Sequence, residues 1–304
     1  MKYPLRNRSI ISIADLSKEE ILLILKRTEE MKKKKPKEIL KSKILASCFY
    51  EPSTRTRLSF ESAMLRLGGS VIGFSDSNSI SAKKGESLQD SMRTIGQYGD
   101  ILILRHPNEG AARAASESTS KPVINAGDGA NQHPTQTLLD LFSIQECQKK
   151  LKALHVAFVG DLKFGRTVHS LSLACAHFGM RLFFVSPEQL ALPDEISHSL
   201  KKQGIKFSFH RSIEEVLGKV DILYMTRIQK ERLDPSTYEK CKNIYILKEE
   251  MLKGAKKNLK ILHPLPRVNE IETSIDKTSF AHYFQQAENG LYVRMALLSL
   301  ILES

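Results

Sequence analysis

The 304-residue sequence contains no tryptophan, and only 7% of its residues are aromatic. Its four cysteines (Cys48, Cys147, Cys175 and Cys241) lie too far apart to form a metal-ligand cluster or a redox pair. No apolar run approaches the roughly 20 residues that a membrane-spanning helix needs. The N-terminus is charged before any sustained apolar stretch, so it does not resemble a secretory signal. These absences predict a reduced cytoplasmic protein with no structural zinc and no membrane partner.

Positive charge is the unusual property of the composition. Lys and Arg number 46 against 34 Asp and Glu, which gives a formal net charge of +12. A basic chain can bind nucleic acid, an anionic membrane surface or small anions. The long basic run at residues 32–35 ends a predicted helix, where lysines favour the helix dipole and remain in water. Aromatic residues do not alternate with the basic ones, so the pattern favours small anions over a nucleic-acid groove.

Strand and helix patterns alternate in two series along the chain. The first series predicts strands over residues 44–50, 70–74, 101–104 and 122–125. The second begins with strand 155–159, continues to strand 258–262 and is followed by an apolar helix over residues 291–302. The prediction is an α/β protein of two doubly wound domains, each a parallel sheet flanked by helices, bridged by two helices. Ligands of such folds bind at the carboxyl ends of the strands.

Hydroxyl and arginine side chains are concentrated where the first predicted strand meets a helix. Residues 52–57 have the sequence PSTRTR. Backbone N–H groups at a helix N-terminus bind anions, hydroxyls add neutral donors, and a guanidinium fits phosphate oxygens. An ordinary helix cap with solvated arginines would use the same residue types, but their density favours an oxyanion site. For Arg57, a structural ion pair is the alternative.

A second polar segment follows the fourth predicted strand. Residues 125–136 have the sequence NAGDGANQHPTQ, so His133 and Gln136 flank the start of a predicted helix. An imidazole N–H can polarise a carbonyl oxygen. A lone histidine is more often a cap or a structural group, but the glycine-rich backbone and Gln136 beside it favour a functional role. Both side chains are expected at the same edge of the sheet as residues 52–57.

Three further loops leave predicted strand ends. Residues 160–166 (GDLKFGR) lack the glycine spacing of a dinucleotide site, so Arg166 is interpreted as a carboxylate ligand, with a surface arginine as the alternative. Arg227 and Gln229 lie two residues apart and point the same way if the backbone is extended. The two prolines in residues 263–267 (HPLPR) hold the backbone rigid, so its carbonyls suit an NH2 donor.

Two more features belong to the first series. Arg105 follows the strand predicted over residues 101–104 and adds a third arginine at the mouth of the first domain. Residues 75–85 form a polar, serine-rich loop that ends in two lysines and a glycine, a composition typical of a mobile lid. A flexible loop without function is the alternative.

Together these segments resemble the carbamoyltransferases. The shared motifs follow one another along nearly the whole chain: STRTR at 53–57, KGE at 84–86, RHP at 105–107, HPTQ at 133–136, RTVH at 166–169 and HPLPR at 263–267. Residues 225–235 (MTRIQKERLDP) and 283–287 (YFQQA) resemble the catalytic chains of aspartate carbamoyltransferases within that family. The resemblance implies transfer of the carbamoyl group of carbamoyl phosphate to the α-amine of L-aspartate, a step of de novo pyrimidine biosynthesis. It implies no cofactor and no metal.

The same resemblance implies two sets of site residues. The carbamoyl phosphate set is Ser53, Thr54, Arg55, Thr56, Arg105, His133, Gln136 and the carbonyls of Leu265 and Pro266. The catalytic members of this set are expected to be Arg55, Thr56, Arg105 and His133. The aspartate set is Lys84, Arg166, Arg227 and Gln229. Residues 1–134 with 290–304 would form the carbamoyl phosphate-binding domain, and residues 135–289 the aspartate-binding domain.

The resemblance also implies partners. It implies a homotrimer with shared active sites, in which a neighbouring chain supplies the lid and Lys84. In some members two trimers join separate regulatory chains, so a larger dodecameric assembly is a further expectation. The family usually has a serine four residues before this lysine, where Ile80 stands here. Ser81 is therefore the expected phosphate contact, and Ser79 is the alternative.

Two other functions compete with this interpretation. Ornithine carbamoyltransferases share the phosphate-side motifs, but they typically have a cysteine in place of Leu265 and a Ser-Met-Gly loop for a cationic amino acid. Here Leu265, Arg227 and Gln229 favour a dicarboxylate. A non-catalytic protein that binds anions or nucleic acid is supported by the net charge alone.

Overall fold

The computed structural model describes residues 5–34, 38–76 and 84–303. The chain divides into two compact units, Met1–Phe142 with Glu288–Ser304 (the first unit) and Ser143–Ala287 (the second unit). The functional boundaries after residues 134 and 289 remain a prediction. In the described part of the chain, no helix combines the length and apolar character needed to cross a membrane.

The first unit is built on a four-stranded parallel sheet. Its strands are β1 (Ile44–Phe49), β2 (Ser70–Phe74), β3 (Ile101–His106) and β4 (Val123–Asp128), in the order β2-β1-β3-β4. Its helices are α1 (Lys18–Lys33), α2 (Thr54–Arg66), α3 (Leu88–Ile95), α4 (Ala111–Ser118) and parts of α5 (Pro134–Gln148) and α10 (Tyr283–Leu302). Residues of β1 and β4 are buried nearly throughout, as expected for parallel strands, whereas the edge strand β2 is largely exposed.

The second unit is built on a five-stranded parallel sheet. Its strands are β5 (His155–Val159), β6 (Arg181–Val185), β7 (Phe207–His210), β8 (Ile222–Met225) and β9 (Lys260–Leu262), in the order β7-β6-β5-β8-β9. Its own helices are α6 (Arg166–Ala176), α7 (Asp194–Lys202), α8 (Glu214–Leu217) and α9 (Pro235–Cys241). A core of aliphatic and aromatic side chains, with Leu223 and Ile261 fully buried, packs at this sheet.

In both sheets the strand order reverses once. The reversal falls between β1 and β3 in the first unit and between β5 and β8 in the second. At such a reversal the connections leave toward opposite faces of the sheet, which opens a crevice at the carboxyl ends of the two strands. These two positions, called here the first and second switch points, are where polar side chains can gather without disturbing a core.

The prediction of two doubly wound parallel sheets is confirmed. The last helix was predicted to start at residue 291, but it begins at Tyr283. Glycine disfavours helix interiors, yet Gly290 lies inside α10, where a Cβ would come within 2.4 Å of Arg294 Nη1. The sequence pattern also did not predict α9, although Asp234 caps it by accepting a hydrogen bond from Thr237 N at 3.0 Å.

Candidate active site

The first switch point begins at the N-terminus of α2. Ser53 is the N-cap residue, but its side chain makes no capping hydrogen bond, so the first-turn N–H groups and this hydroxyl are not used on each other. Thr54 and Arg55 are exposed, and Thr56 is buried. Donors without a local capping role at a helix N-terminus form an arrangement that can receive an anion.

The structure separates Arg57 from this group. Arg57 Nε lies 3.6 Å from Glu61 Oε1, one turn further along α2. Ser47 Oγ donates to the same oxygen at 3.0 Å. Arg57 is thus an ion-paired residue on the helix, which is the structural alternative that the sequence left open.

Arg105 extends from the carboxyl end of β3, opposite Phe49 of β1. Its Nη2 lies 2.6 Å from Glu51 Oε1, and its Nη1 donates to the Ala126 carbonyl at 3.2 Å. Within the described chain its buried Nε has no hydrogen-bond partner. Burial lowers the pKa of Arg105, and Glu51 opposes that fall. The guanidinium is therefore held by two contacts, and these leave N–H groups over for a ligand.

A buried carboxylate organises the loop that carries His133. Asp128 accepts hydrogen bonds from Asn125 Nδ2, Gly110 N, Asn131 Nδ2 and Gln132 N, at 2.9 to 3.2 Å. These bonds fix the turn between β4 and α5 and so place His133 at the start of that helix. The imidazole is buried, and its Nδ1 lies 3.4 Å from Thr135 Oγ1. An imidazole fixed in this way can present its other nitrogen in a defined direction.

Gln136 lies in the first turn of α5 and is almost fully buried. Its Nε2 donates to Asp140 Oδ1 at 2.8 Å. The fold thus places residues 53–56, Arg105, His133 and Gln136 at the carboxyl edge of this sheet, on the edge where the sequence predicted them. Arg105 and the α2 N-terminus come from the two strands that flank the reversal.

The second switch point begins with a tight backbone approach. Gly160 has φ +114°, and a Cβ there would lie 2.4 Å from the Thr226 carbonyl oxygen, so only glycine fits. Asp161 follows and is fully buried. It accepts from Phe164 N at 2.9 Å and from Gln229 Nε2 at 3.2 Å. Burial raises the pKa of Asp161, and these hydrogen bonds oppose the rise.

Three of the predicted aspartate ligands lie on α6 and after β8, in the same unit as this carboxylate. Arg166 is the first residue of α6 and is half-buried. Arg227 follows β8, and its Nη1 donates to Glu231 Oε2 at 3.0 Å while Nη2 contacts the other carboxylate oxygen. This pairing raises the pKa of Arg227 and lowers that of Glu231. Arg227 and Gln229 thus have different carboxylate partners, Glu231 and Asp161.

The loop after β9 is held by a buried histidine. His263 Nδ1 accepts from Leu265 N at 2.8 Å, and Nε2 lies 2.6 Å from Glu270 Oε1. Leu265 has φ +54°, a left-handed backbone that a leucine adopts only when its surroundings impose it. Burial alone would raise the pKa of Glu270, but hydrogen bonds from His263 and from backbone N–H groups lower it. The imidazole therefore fixes the backbone from which the Leu265 and Pro266 carbonyls project.

The lid is described only at its end. Ser79 and Ser81, the two candidate phosphate contacts, lie outside the described residues. Lys84 is described and exposed, and Gly85 has φ +93°, a conformation that favours glycine.

Carboxylates are the site residues that sequence reasoning missed. Glu51 contacts Arg105, Glu231 contacts Arg227, Asp161 contacts Gln229, and Glu270 contacts His263. The spacing of four between Arg227 and Glu231 could have indicated one pair. The Asp161–Gln229 contact joins residues 68 positions apart, and no local pattern predicts it.

Comparison with known sequences agrees with this division into two units. Residues 8–146 match the family model described as aspartate/ornithine carbamoyltransferase, carbamoyl-P binding domain. Residues 152–301 match the model described as aspartate/ornithine carbamoyltransferase, Asp/Orn binding domain. Proteins named aspartate carbamoyltransferase catalytic subunit from Vibrio campbellii and Vibrio vulnificus are each 58% identical to this chain over 305 residues, which covers 99% of both sequences.

Solved structures give the same result. The catalytic subunit of M. jannaschii aspartate transcarbamoylase is 52% identical, with a TM-score of 0.90 over 96% of this chain and 97% of that one. Aspartate transcarbamoylase from Trypanosoma cruzi in complex with carbamoyl phosphate and aspartate is 35% identical, with a TM-score of 0.93 over 98% of both chains. This chain belongs to the aspartate/ornithine carbamoyltransferase family.

Proposed function

We propose that this chain transfers the carbamoyl group of carbamoyl phosphate to the α-amine of L-aspartate, giving N-carbamoyl-L-aspartate and phosphate. One observation carries the proposal: each of the two sheets, matching the two substrate domains of the family, has arginine and neutral donors at its switch point. Both substrates are small anions, and the reaction belongs to pyrimidine biosynthesis. The predicted family, fold class and activity agree with the names of the relatives.

Carbamoyl phosphate binds at the first switch point in this proposal. Its phosphate accepts from the N–H groups at the start of α2, from Ser53 and Thr54 and from the Arg55 guanidinium. The Arg105 guanidinium supports a further donor to the same substrate, because its contacts with Glu51 and the Ala126 carbonyl leave N–H groups over. Ser81 from the lid remains the predicted additional phosphate contact.

L-Aspartate binds at the second switch point. Arg166 and Arg227 suit its two carboxylates, because a guanidinium forms paired hydrogen bonds with a carboxylate. Gln229 adds a neutral donor, and Lys84 is the predicted further cation. The existing contact between Arg227 and Glu231 supports this role, because in it the guanidinium donates to both oxygens of one carboxylate.

The chemistry needs a developing oxyanion to be stabilised. The amine nitrogen attacks the carbamoyl carbon, a C–N bond forms, and the C–O bond to phosphate breaks with its electron pair leaving on phosphate. Thr56, Arg105 and His133 donate to the carbamoyl oxygen as it gains charge, and a single such donor is typically worth about 3 kcal/mol. Arg55 offsets charge on the leaving phosphate, which takes up the amine proton. The Leu265 and Pro266 carbonyls are the predicted acceptors for the carbamoyl NH2.

The active assembly is a homotrimer in this proposal, with Lys84 supplied to a neighbouring chain. The first unit carries exposed apolar side chains, Leu58 and Leu65 on α2 and Ile72 on the edge strand β2, and α2 packs against β2. Such a face supports contact with another copy. Regulatory chains and a cytoplasmic location belong to the same proposal, and the four cysteines, all free thiols, are in keeping with a reducing compartment.

A substrate test decides the activity. The purified chain should convert carbamoyl phosphate and L-aspartate to N-carbamoyl-L-aspartate, detected by mass, and should leave L-ornithine unchanged. A preference for ornithine would replace the proposed acceptor. Salt-sensitive oligonucleotide binding without turnover would replace the enzyme with a binding protein.

Matched arginines test the first switch point. Arg55→Ala should lower kcat strongly, whereas Arg57→Ala, two residues away on the same helix, should retain most activity because Arg57 pairs with Glu61. Equal losses in both variants would contradict the placement of the phosphate.

Chain complementation tests the shared site. Lys84→Gln and Arg105→Ala chains should each be nearly inactive alone and should regain activity when dissociated and reassembled together. A mixture that stays inactive while it elutes as a trimer would place Lys84 and Arg105 in sites of the same chain.

A further inference from the structure

Two buried residues of opposite charge lie close to the first turns of α5, one in contact with Gln136 and the other in contact with Thr135. Asp140 on α5 is fully buried, and Arg294 on α10 is 3% exposed. Charged side chains are almost never this deeply buried unless they are paired. Neither residue belongs to the substrate sets predicted above, so their charges require a separate explanation.

The surroundings of Arg294 are built around its guanidinium. Its carbon lies 5.0 Å from the centre of the Phe60 ring, and Nη2 donates to Thr135 Oγ1 at 3.5 Å. Gly290 leaves the space for Nη1, because a Cβ there would lie 2.4 Å from that atom. Burial lowers the pKa of Arg294 to about 9, and the negative charge of Asp140 opposes the fall. The guanidinium is therefore charged at neutral pH, and Asp140 is its counter-charge.

Asp140 also contacts the substrate-binding amide. Its Oδ1 accepts from Gln136 Nε2 at 2.8 Å, one helical turn away on α5. An ionised carboxylate can only accept hydrogen bonds, whereas an amide has a donor end and an acceptor end. The amide therefore has to direct Nε2 toward Asp140, and its Oε1 is directed away from the carboxylate.

We propose that Asp140 is a positioning residue that holds the Gln136 amide with Oε1 available to the NH2 group of carbamoyl phosphate, and that Arg294 keeps Asp140 ionised. The inference rests on the proposed function, because it takes Gln136 as a ligand of carbamoyl phosphate. Oε1 then accepts a hydrogen bond from the carbamoyl NH2. In the reversed orientation, the Gln136 NH2 group would face the carbamoyl NH2 group, and two donors cannot form a hydrogen bond. Asp140 thus selects one of the two orientations of the Gln136 amide.

A purely structural role for Asp140 predicts different kinetics from a positioning role. Removing the charges of Asp140 and Arg294 singly and together distinguishes the two roles. In Asp140→Asn, the new amide can donate to Gln136 Oε1, so both orientations of Gln136 become accessible. In Arg294→Met, Asp140 keeps its carboxyl group but loses its counter-charge, so part of it is protonated and can donate to Gln136 Oε1. In the double variant, the buried charges are removed together, which avoids leaving either one unpaired.

The orientation of Gln136 is expected to affect the KM for carbamoyl phosphate separately from Tm. Asp140→Asn should lower Tm and raise the KM for carbamoyl phosphate about tenfold, the value of one hydrogen bond of about 1.4 kcal/mol. Arg294→Met should lower Tm and raise the KM for carbamoyl phosphate by less than Asp140→Asn does, and this rise should shrink as the pH increases and Asp140 ionises. The double variant should recover Tm but keep the raised KM. Recovery of the parental KM in the double variant would overturn the proposal, because Asp140 would then act only as a counter-charge.

Two further variants keep the result interpretable. Gln136→Ala should raise the same KM, and adding Asp140→Asn to it should raise that KM no further, since the two changes remove one interaction. If Gln136→Ala leaves the KM unchanged, the fault lies in the proposed function and not in the role of Asp140. Asp221→Asn is the matched control, because the Asp221 carboxylate in the second unit accepts from His155 N, Lys256 Nζ and Asn258 Nδ2 at 2.9 to 3.0 Å, and these partners are not among the substrate-binding residues.

Discussion

The two switch points share a topology but hold their ligands differently. At the first, Arg105 and His133 are largely buried. Glu51 and the Ala126 carbonyl hold Arg105, and the buried Asp128 fixes the loop that carries His133. At the second, the main pair is at the surface: the Arg227 side chain is 28% exposed and that of Glu231 is 56% exposed. Surface ion pairs contribute about 0–1 kcal/mol, so they exchange readily. The first site is thus preset for its anion, whereas the second has to trade one carboxylate for another.

This difference has a chemical reason. The carbamoyl group reacts at the first site, and donors that stabilise a transition state are effective only when they are fixed before the reaction. Aspartate needs to be bound and oriented, and in the proposed function one of its carboxylates takes the place of Glu231 beside Arg227.

Removal of a preset donor should give the largest effect. Arg105→Ala should lower kcat about 10²- to 10³-fold, the range for loss of one oxyanion donor. Circular dichroism and Tm should change little, because Arg105 lies at the end of its strand. Arg113→Ala is the control, since Arg113 pairs with Asp15 at 2.6 Å in the same unit and is half exposed. A near-normal kcat in Arg105→Ala would remove it from the oxyanion role.

The loop after β9 tests whether part of the second unit is preset in the same way as the first. Glu270→Gln should lower kcat/KM about tenfold and destabilise the fold by about 1–3 kcal/mol, because His263 loses its carboxylate partner and Leu265 its fixed backbone. Steady-state kinetics and urea unfolding measure the two effects. Glu272→Gln, on the same loop, should change neither. Lost stability with unchanged kinetics would mean that the loop carbonyls do not contact substrate.

The same carboxylate predicts a pH dependence of stability. The pKa of Glu270 is lower in the folded chain than its usual 4.5, so its stabilising effect is present above 4.5 and is lost as the pH falls through the folded value. The difference in unfolding free energy between the parent and Glu270→Gln should therefore be larger at pH 7 than at pH 3. A difference that is constant across this range would contradict an ionised Glu270 in the fold.

The smallest effect is expected for Glu231→Gln, and this variant tests the contrast between the two switch points most sharply. In Glu231→Gln, a competitor for Arg227 is removed, so the KM for aspartate should fall about two- to fivefold, the equivalent of a surface pair worth up to 1 kcal/mol. The KM for carbamoyl phosphate should not change. Glu239→Gln, which breaks the surface pair with Lys242, should leave both constants unchanged. A rise in the aspartate KM of Glu231→Gln would show that Glu231 positions Arg227 and does not compete for it.

Local patterns predicted the positions of the strands and loops that carry the site. Strands over 70–74 and 155–159 have the predicted bounds, since short apolar runs between turn signals are distinctive in parallel sheets. The location of the site residues at one edge of each sheet was predictable from topology alone, because the carboxyl ends of parallel strands lie at the same edge.

Contacts between distant segments were not predictable in this way. The helix boundary at Tyr283 was missed because Gly290 is a helix-breaking signal, and its reason for being there is the guanidinium of Arg294. The carboxylate partners of the site arginines and amides were missed for a related reason. Which carboxylate pairs with which arginine or amide depends on the segments that the fold brings together, as with Glu51 and Arg105.

Two-substrate kinetics of one variant from each switch point test the division of substrates most directly. Thr56→Val removes a donor of the first unit, and Arg227→Ala removes a ligand of the second. The account predicts a fall in kcat or a raised KM for carbamoyl phosphate in Thr56→Val with the aspartate KM unchanged. It predicts an aspartate KM raised about tenfold or more in Arg227→Ala, from loss of a charge-assisted pair, with the carbamoyl phosphate KM unchanged. An Arg227→Ala variant that raises the KM for carbamoyl phosphate and leaves that for aspartate unchanged would contradict it.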